Sequence, residues 1–403
     1  MAAALLTSKP VRLNNVPKVT DTGVMGEIIT AIGGTCTGEG SVEINASGAA
    51  SAGVPADLGR RMRATILMLG ALIGRFHKAR VPRPGGDDIG ARRVEQHLRG
   101  LRQMGARIEE GDDELIAEVD RLRGARIVFD LPTVTGTENI LLAAVLAEGR
   151  TEIFNAAREP HVQDLCWLLG KMGARIEGVG TERLVVDGVR ELGGAEHTVI
   201  PDYLEAGTYA LAVAAAGGEL KLECSRPEDL NIVLLKLEQA GAHVEVGEGW
   251  FRVGRRRDTP VRPTDMSTWP FPGFPTDLQA QYMTLMTQAA GDTVISEYVH
   301  ENRFQHVTQL KRMGADITVE GRLHAFVHGP GRLHGADVAV PDIRSGAALV
   351  IAAMCAEGES VLHNSWHVER GYEDMVGKLT SVGANIEAVS LETDSAAGSA
   401  GYE

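Results

Sequence analysis

The chain has 403 residues, a length that corresponds to two or three domains of ordinary size. Apolar residues make up 44% and charged residues 23% of the sequence, and this composition excludes a wholly disordered chain. The net charge is −14, which argues against general binding to nucleic acids or anionic membranes but allows an anionic small substrate held by a local arginine cluster.

No apolar stretch reaches the roughly 18–20 residues that span a bilayer, and no signal peptide is visible at the start. The four cysteines lie far apart without a CxxC pair, at positions Cys36, Cys166, Cys224 and Cys355. The 12 histidines show no ligand spacing, and no GxxxxGK[ST] or strand-embedded GxGxxG motif is present. We therefore expect a cytoplasmic protein without a metal or cofactor that is neither a nucleotide hydrolase nor a dehydrogenase.

A phrase of the type MGARIEE recurs along the chain, each time after an apolar stretch at helical spacing and before alternating residues. A helix that ends at a glycine cap and leads into a strand explains this pattern. The repeats are spaced 68–73 positions apart, and their first glycines are Gly33, Gly105, Gly173, Gly241, Gly314 and Gly383. The sequence therefore predicts six units.

Each unit holds a second phrase that reads as helix, glycine, strand, such as LAEGRTEIFNA from Leu146. Upstream of it a strand ends in proline followed by Asp or Thr, as in PDYLEAGTY from Pro201, which marks a helix start. The unit is thus β-α-β-α-β-β, and the first copy begins inside its first helix. Three units per domain predict an α/β protein with an N-terminal domain over residues 1–200, a C-terminal domain over residues 201–391 and a disordered tail over residues 392–403.

The predicted strand-to-helix junctions carry Arg63, Asp277, Asp342 and Arg344. If equivalent helices point the same way, their N-termini converge and form an anion site. The alternative is that Asp277 and Asp342 simply cap their helices.

The segment RPGGDDIGARRVEQH, residues 83–97, interrupts the repeat. Its glycines and the paired acids Asp87 and Asp88 predict a mobile loop, and Arg92 and Arg93 follow. Such a loop could close over an anionic substrate, or it could be a solvated surface loop. Further along, Arg158, Arg303 and Arg370 each lie within two positions of a glutamate, so local ion pairs are the simplest interpretation of these sites.

These stretches resemble the enolpyruvyl transferases, and among them most closely the UDP-N-acetylglucosamine 1-carboxyvinyltransferases. The sister family, the 5-enolpyruvylshikimate-3-phosphate synthases, fits the motifs poorly. The matches cover nearly the whole chain and are PGGDDIGARRVEQH, VTGTENILLAAVLAEG, NAAREPHVQDL, PDYLEAGTY, FPTDLQAQYM, ENRFQHVTQLKRMGADI, DIRSGAALVIA and HVERGYED. The resemblance implies two inside-out α/β barrel domains of three repeats each. It also implies transfer of enolpyruvate from phosphoenolpyruvate to the 3′-hydroxyl of UDP-N-acetylglucosamine with release of phosphate, the first committed step of peptidoglycan synthesis.

The resemblance also implies roles for individual residues. Asp277 matches the carboxylate that takes the sugar hydroxyl proton, and Asp87 matches the acid, usually cysteine, that protonates the methylene carbon of phosphoenolpyruvate. A carboxylic acid at that position predicts resistance to fosfomycin, which alkylates a thiol. The residues implied to bind phosphoenolpyruvate are Arg92, Arg344 and Arg370. Those implied to bind UDP-N-acetylglucosamine are Arg63, Val94, Glu95, Gln96, Thr133, Val134, Thr135, Asp277, Val299 and Arg303.

The sequence departs from this family in three places. The family begins with a strand and a Lys-Asn pair that are not in this sequence, and Arg92-Arg93-Val94-Glu95 replaces the usual Arg-Pro-Val-Asp. Leu67 and Tyr203 stand where an aromatic residue and an arginine are common. Two alternatives therefore stay open: a paralogue that uses another nucleotide or sugar acceptor, and a non-catalytic nucleotide-binding homologue. The expected partners are the two small-molecule substrates, with no nucleic acid or membrane, in a monomer or weak homo-oligomer.

Overall fold

The computed structural model describes residues 1–389, so the tail predicted over residues 392–403 lies outside the described part of the chain. The α-helices are α1 (Thr20–Ala31), α2 (Ala56–Gly59), α3 (Leu67–Phe76), α4 (Glu95–Gln103), α5 (Val134–Ala144), α6 (Pro160–Lys171), α7 (Tyr203–Ala216), α8 (Asn231–Gln239), α9 (Gln279–Met286), α10 (Val307–Arg312), α11 (Ile343–Cys355), α12 (Trp366–Glu369) and α13 (Met375–Ser381). Short 3₁₀ helices cover Ala2–Leu6, Arg63–Ile66, Pro227–Leu230 and Thr276–Leu278.

The strands are β1 (Val11–Val16), β2 (Thr35–Thr37), β3 (Gly40–Asn45), β4 (Lys78–Pro82), β5 (Arg107–Glu110), β6 (Glu114–Glu118), β7 (Arg126–Val128), β8 (Arg150–Phe154), β9 (Arg175–Glu177), β10 (Arg183–Asp187), β11 (Ala195–Thr198), β12 (Gly218–Glu223), β13 (His243–Gly247), β14 (Trp250–Arg255), β15 (Met266–Ser267), β16 (Asp292–Ser296), β17 (Asp316–Glu320), β18 (His324–His328), β19 (Asp337–Ala339) and β20 (Val361–His363).

The six repeated glycines end six helices, as predicted. Each has a φ between +95° and +102°, and each lies two residues past the end of α1, α4, α6, α8, α10 or α13. At Gly105 the amide donates to the carbonyl of Arg102 and the next amide, of Ala106, donates to Leu101, both at 3.0 Å. This pairing satisfies the last carbonyls of the helix and requires a left-handed residue, which only glycine adopts without cost.

The strands form six sheets, with three antiparallel strands in most of them. A fourth strand pairs in parallel at one edge of the sheets ordered β11-β1-β3-β2, β7-β8-β10-β9 and β15-β16-β18-β17. The sheets β4-β6-β5 and β12-β14-β13 have three strands, and β19-β20 has two, within residues 1–389. Strand β11 pairs with β1, near the start of the chain, so the N-terminal half closes on itself just before residue 200.

Helices are the most continuously buried elements of the core, and the sheets contribute one face each. Helix α5 is buried continuously from Gly136 to Ala144, while the strands expose one face. The buried apolar residues form two main clusters, from residues 2–192 and 203–352, and a third smaller one near the C-terminal end. In the first cluster α5 packs on α3, and in the second α7, α9 and α11 pack on one another. No helix of the described residues is long and apolar enough to cross a membrane.

Candidate active site

Asp277 lies in a short 3₁₀ helix at the start of α9 and faces two arginines. Its Oδ1 accepts a hydrogen bond from Arg303 Nη2 at 2.7 Å, and its Oδ2 is 3.5 Å from Arg344 Nη2. The Arg303 side chain is only 4% exposed, so this charge can be accommodated there only because the carboxylate pairs with it. The Asp277 carboxylate makes no cap hydrogen bond, in contrast to Asp342, whose Oδ1 accepts from the first amides of α11.

The arginines hold Asp277 in its charged form. Burial alone would raise the pKa of this carboxyl, but the guanidinium groups of Arg344 and Arg303 outweigh that effect and hold the pKa well below its usual range. The pKa of nearby His300 is also lowered, to about 4, by burial and then by Arg303. At neutral pH the site therefore contains an ionised Asp277 beside a neutral imidazole.

Arg344 offers an unused donor in the same place. Its guanidinium lies over the Tyr372 ring, 5.3 Å from the ring centre, which fixes the plane of the fork. Its Nη1 atom is buried and has no hydrogen-bond partner within residues 1–389. A buried unpaired donor on a charged group is costly unless a ligand takes it. This donor can therefore receive an oxygen atom of an anionic ligand.

Asp87 lies on the irregular segment before α4 and pairs with an arginine of the C-terminal half. Arg370 Nη1 donates to Asp87 Oδ1 at 2.6 Å, while Arg370 Nε donates to Asp21 Oδ1 at 3.2 Å. Arg92 follows on the same segment, and its guanidinium interacts electrostatically with the carboxylates of Asp277 and Asp87. Burial lowers the pKa of Arg92, against the opposing effect of these two carboxylates.

Arg63 completes the group. Its Nη2 donates to the carbonyl of Arg92, and burial together with that neighbouring charge lowers the pKa of Arg63 to about 10, so the group stays cationic at neutral pH. The structure thus brings together, at the boundary of the two halves, Arg63, Asp87, Arg92, Asp277, Arg303, Arg344 and Arg370. The sequence interpretation assigned these acids and arginines to one site, and their roles there stay a prediction.

Side chains of residues 301–305 tie the segment carrying Asp87 to the other half through hydrogen bonds. Glu301 Oε1 accepts from the amide of Ala91 at 2.7 Å, and Asn302 Nδ2 donates to the carbonyl of Asp88 at 3.1 Å. The Gln305 side chain donates to the same carbonyl. Asp87 is therefore placed by residues of both halves.

Six of the residues implied to bind UDP-N-acetylglucosamine, at positions 94–96 and 133–135, lie beside one another in the N-terminal half. Val94 is buried just before α4, and Glu95 is exposed on its first turn. Gln96 accepts from the amide of Asp130 at 2.7 Å and so holds the segment that leads to α5. That helix begins at Thr133–Thr135, where Thr133 caps the first turn. The amides at this helix start make it suitable for a phosphate group.

His97 supports this helix start from inside the protein. Its Nδ1 accepts from Asn139 Nδ2 at 2.9 Å, so the neutral ring carries its proton on Nε2, 3.4 Å from Thr135 Oγ1. Burial lowers the pKa of His97 to about 3, which keeps the imidazole neutral.

Val299 is positioned by a residue that the sequence interpretation missed. Glu297 is fully buried, and its Oε1 accepts from the amides of Val299 and His300 at 2.8 and 2.9 Å. It also accepts from the hydroxyls of Thr268 and Thr276, both at 2.9 Å, and Thr276 precedes Asp277. One carboxylate therefore joins the backbone of Val299 to the segment that carries Asp277.

The local ion pairs expected at the later arginines are wrong. Arg303 pairs with Asp277 rather than Glu301, and Arg370 pairs with Asp21 and Asp87 rather than with an adjacent glutamate. Residues 349 and 283 positions away reach Arg370 because the two halves meet there. Arg158 has no carboxylate within salt-bridge distance in the described residues.

The departures from the family pattern also lie at helix starts. Tyr203 begins α7, stacks on His161 with ring centres 6.5 Å apart, and has its pKa raised by burial and by Asp277. Leu67 begins α3. Within residues 1–389 no group of three His, Cys, Asp or Glu side chains could hold a metal ion.

Comparisons with known proteins agree with this architecture. A family model described as EPSP synthase (3-phosphoshikimate 1-carboxyvinyltransferase) matches residues 1–379. The chain is similar to a solved structure of the enolpyruvyl transferase NikO from Streptomyces tendae, with 28% identity and a TM-score of 0.84 over 95% of this chain and 91% of that one. Two structures of EPSP synthase from Acinetobacter baumannii share the fold at 19% and 20% identity, with TM-scores of 0.70 and 0.68. They cover 96% of this chain and 95% and 94% of their own. The predicted two-domain α/β fold is confirmed.

Proposed function

Because the chain belongs to the EPSP synthase family of enolpyruvyl transferases, we propose that it transfers enolpyruvate from phosphoenolpyruvate to the 3′-hydroxyl of UDP-N-acetylglucosamine and releases phosphate. The observation that carries the proposal is the pairing of Asp277 with Arg303 and Arg344 opposite the pairing of Asp87 with Arg370. Two acids on separate arginines, at one boundary between two halves, suit a reaction that needs one proton removed and one delivered.

The charge of the site suits a multiply anionic substrate. Five arginines and three aspartates meet there although the chain as a whole carries a net charge of −14. Guanidinium groups bind carboxylates and phosphates through parallel hydrogen bonds. The unpaired Nη1 of Arg344 supplies one such donor, and Arg92 and Arg370 supply the others in this proposal.

The chemistry then needs only these side chains. Asp87 gives a proton to the methylene carbon of phosphoenolpyruvate, which makes the neighbouring carbon electrophilic. Asp277 takes the proton of the acceptor hydroxyl as its oxygen bonds to that carbon, and a tetrahedral ketal forms. The phosphate leaves with the carbon–oxygen bond pair and receives the proton that Asp277 had taken. Asp87 takes a proton back from the methyl group, and the double bond of the enol ether forms.

Asp277 becomes a better base when the donor substrate is bound. Arg344 and Arg303 both hold its carboxylate in the ionised form. An anion on Arg344 would neutralise part of that charge and raise the proton affinity of Asp277. The substrate thereby prepares the group that activates the acceptor.

A second candidate is transfer to another nucleotide or sugar acceptor. It is favoured by the similarity to the enolpyruvyl transferase NikO and by Glu95, an exposed acid in the segment expected to contact the base. In either case we place the protein in the cytoplasm, because its four cysteines are all unpaired, as in a reducing compartment. This activity would serve cell-wall synthesis in the first case only.

A phosphate-release assay separates these functions. The enzyme is incubated with phosphoenolpyruvate and, in parallel, with no acceptor, UDP-N-acetylglucosamine, a panel of other nucleotides, or 3-phosphoshikimate. Release only with UDP-N-acetylglucosamine supports the first proposal, and release only with another acceptor supports the second. Nucleotide binding without release from any mixture supports a non-catalytic homologue and would overturn both.

A further inference from the structure

Arg370 lies between two carboxylates of the N-terminal half, of which only Asp87 has a role in the reaction above. The second is Asp21, whose Oδ1 and Oδ2 accept from Arg370 Nε at 3.2 Å and Nη2 at 3.4 Å. Asp87 accepts from Nη1 at 2.6 Å. Asp21 therefore occupies one edge of the guanidinium fork, and Asp87 occupies its tip.

The two carboxylates differ in how firmly the fold holds them. Asp21 lies in the first turn of α1, and the residues just before it are attached next to Arg370. The amide of Lys18 donates to Glu373 at 2.9 Å, and the Thr20 hydroxyl donates to the carbonyl of Glu369 at 3.4 Å. Asp87, in contrast, lies on a segment without regular secondary structure, and the hydrogen bonds that tie this segment to residues 301–305 are made by residues that follow Asp87. A ligand that competes for Arg370 displaces Asp87 more easily than Asp21.

We infer that Asp21 is a positioning residue that holds Arg370 for phosphoenolpyruvate, and that the bound anion takes the place of Asp87, which accepts a proton from solvent as it is displaced. The inference rests on the proposed function. By this exchange Asp87, which is ion-paired with Arg370, becomes the acid that the reaction needs.

The charges around Asp87 favour this exchange. Asp87 faces Arg370 and His367 of the C-terminal half, Asp21 on α1, and Arg92 on its own segment. Arg370 is the one cation in contact with it among the residues described, and a neighbouring cation favours the ionised carboxylate. When the anion takes Arg370, that support is lost and a negative charge arrives. Both changes favour the neutral acid, and only Arg92 opposes them.

Asp21 is the other group that could take up a proton. Burial raises the pKa of the Asp21 carboxyl, against the opposing effect of its hydrogen bonds to Arg370. Since Asp21 keeps those two hydrogen bonds when the ligand binds, we expect its protonation to stay unchanged. The experiment must therefore treat the two aspartates separately.

The test is the number of protons taken up when phosphoenolpyruvate binds. Calorimetric titrations at pH 7.5 in two buffers with different ionisation enthalpies give this number directly. We expect roughly one proton per phosphoenolpyruvate for the unmodified protein, and an apparent Kd that rises about tenfold per pH unit above pH 7. Asp87→Asn removes the uptake and leaves an affinity that no longer changes with pH in that range.

Asp21→Asn keeps the proton uptake but weakens phosphoenolpyruvate binding about tenfold, because Arg370 loses a charged partner on one edge. Its KM for the acceptor stays unchanged, and Asp21→Glu recovers part of the loss. Glu27→Gln, which removes an exposed carboxylate of the same helix that pairs with Arg61, leaves both quantities unchanged. A general loss of structure would instead raise both KM values.

Four results would overturn the inference. Binding without proton uptake, or uptake that survives Asp87→Asn, contradicts the exchange while leaving the proposed function intact. If proton uptake disappears in Asp21→Asn, the proton is taken up by Asp21 and not by Asp87, which contradicts the inference. No binding of phosphoenolpyruvate to the unmodified protein overturns both this inference and the proposed function.

Discussion

Glu297 offers the sharpest test of how the site is positioned. Its carboxylate is fully buried and accepts four hydrogen bonds, from the Val299 and His300 amides and the Thr268 and Thr276 hydroxyls. We predict that Glu297→Ala lowers both stability and turnover, because it frees the Val299 turn and the segment before the catalytic aspartate at once. Glu297→Gln should lie between this variant and the unmodified protein.

The magnitude follows from the four donors. After Glu297→Ala the two hydroxyls can rotate to other acceptors, but the two part-buried amides cannot, and each unpaired group costs about 1–3 kcal/mol. We therefore expect a loss of about 4 kcal/mol in the free energy of unfolding. Glutamine keeps one oxygen in place for three of the bonds. It exchanges charged acceptors for neutral ones, so a loss of about 1–2 kcal/mol is expected.

Urea unfolding measured by fluorescence and steady-state kinetics check this prediction. Turnover of Glu297→Ala should fall about 100-fold, roughly what 2–3 kcal/mol of lost positioning energy produces. Glu320→Ala, which removes an exposed glutamate of strand β17 in the same sheet, serves as the control. An alanine variant that unfolds at the same urea concentration as the unmodified protein and keeps its turnover would refute the reasoning.

Three further changes test the reacting groups. Asp277→Asn should abolish turnover while acceptor binding, measured by calorimetry, changes little, since Arg303 loses its charged partner but the nucleotide segment is untouched; unchanged turnover would remove Asp277 as the base. Asp87→Cys should make the enzyme sensitive to fosfomycin, because a thiolate is alkylated far faster than a carboxylate, and an insensitive variant would mean that this position is not the acid. Gly90→Ala should lower kcat about tenfold or more, because a φ of +133° strains any residue with a Cβ and the added Cβ would push the Glu301 carboxylate away from the amide of Ala91; a normal kcat would show that the contact between the segment and Glu301 is dispensable.

The fold could be predicted from the sequence because its signals are local. The glycine caps recur at a fixed spacing, and each depends only on the helix it ends, as the pair of hydrogen bonds at Gly105 illustrates. The bounds of the two domains remain a prediction, although the buried clusters meet near residue 200. The pairing of β11 with β1 was not predictable, because it joins segments 184 positions apart and depends on closure of the whole half.

The site could be predicted only where resemblance supplied it. Arg370 has a glutamate directly before it in the sequence, so proximity favoured a local ion pair, whereas its partners are Asp21 and Asp87. In the sequence, Asp21 looks like an ordinary acid in a first helical turn, where acids are common because they interact favourably with the helix dipole. Glu297 directly follows a strand, and its burial becomes visible only once four donors surround it. Such residues are found from packing between distant segments, which composition and periodicity do not encode.

The two reacting aspartates need opposite protonation states in one small site, and the arrangement of arginines supplies the difference. Asp277 is held by Arg303, which is almost fully buried and bonds to its carboxylate, so its ionised form survives when a substrate anion occupies Arg344. Asp87 contacts one guanidinium, and in the proposed reaction that guanidinium must also serve the substrate. When the substrate anion binds, Asp87 therefore loses Arg370, the only cation that contacts it among residues 1–389, while Asp277 keeps Arg303. If an additional lysine or arginine were introduced beside Asp87, for example by His367→Lys, the acid would stay ionised, and turnover should fall more steeply with rising pH than phosphoenolpyruvate binding does.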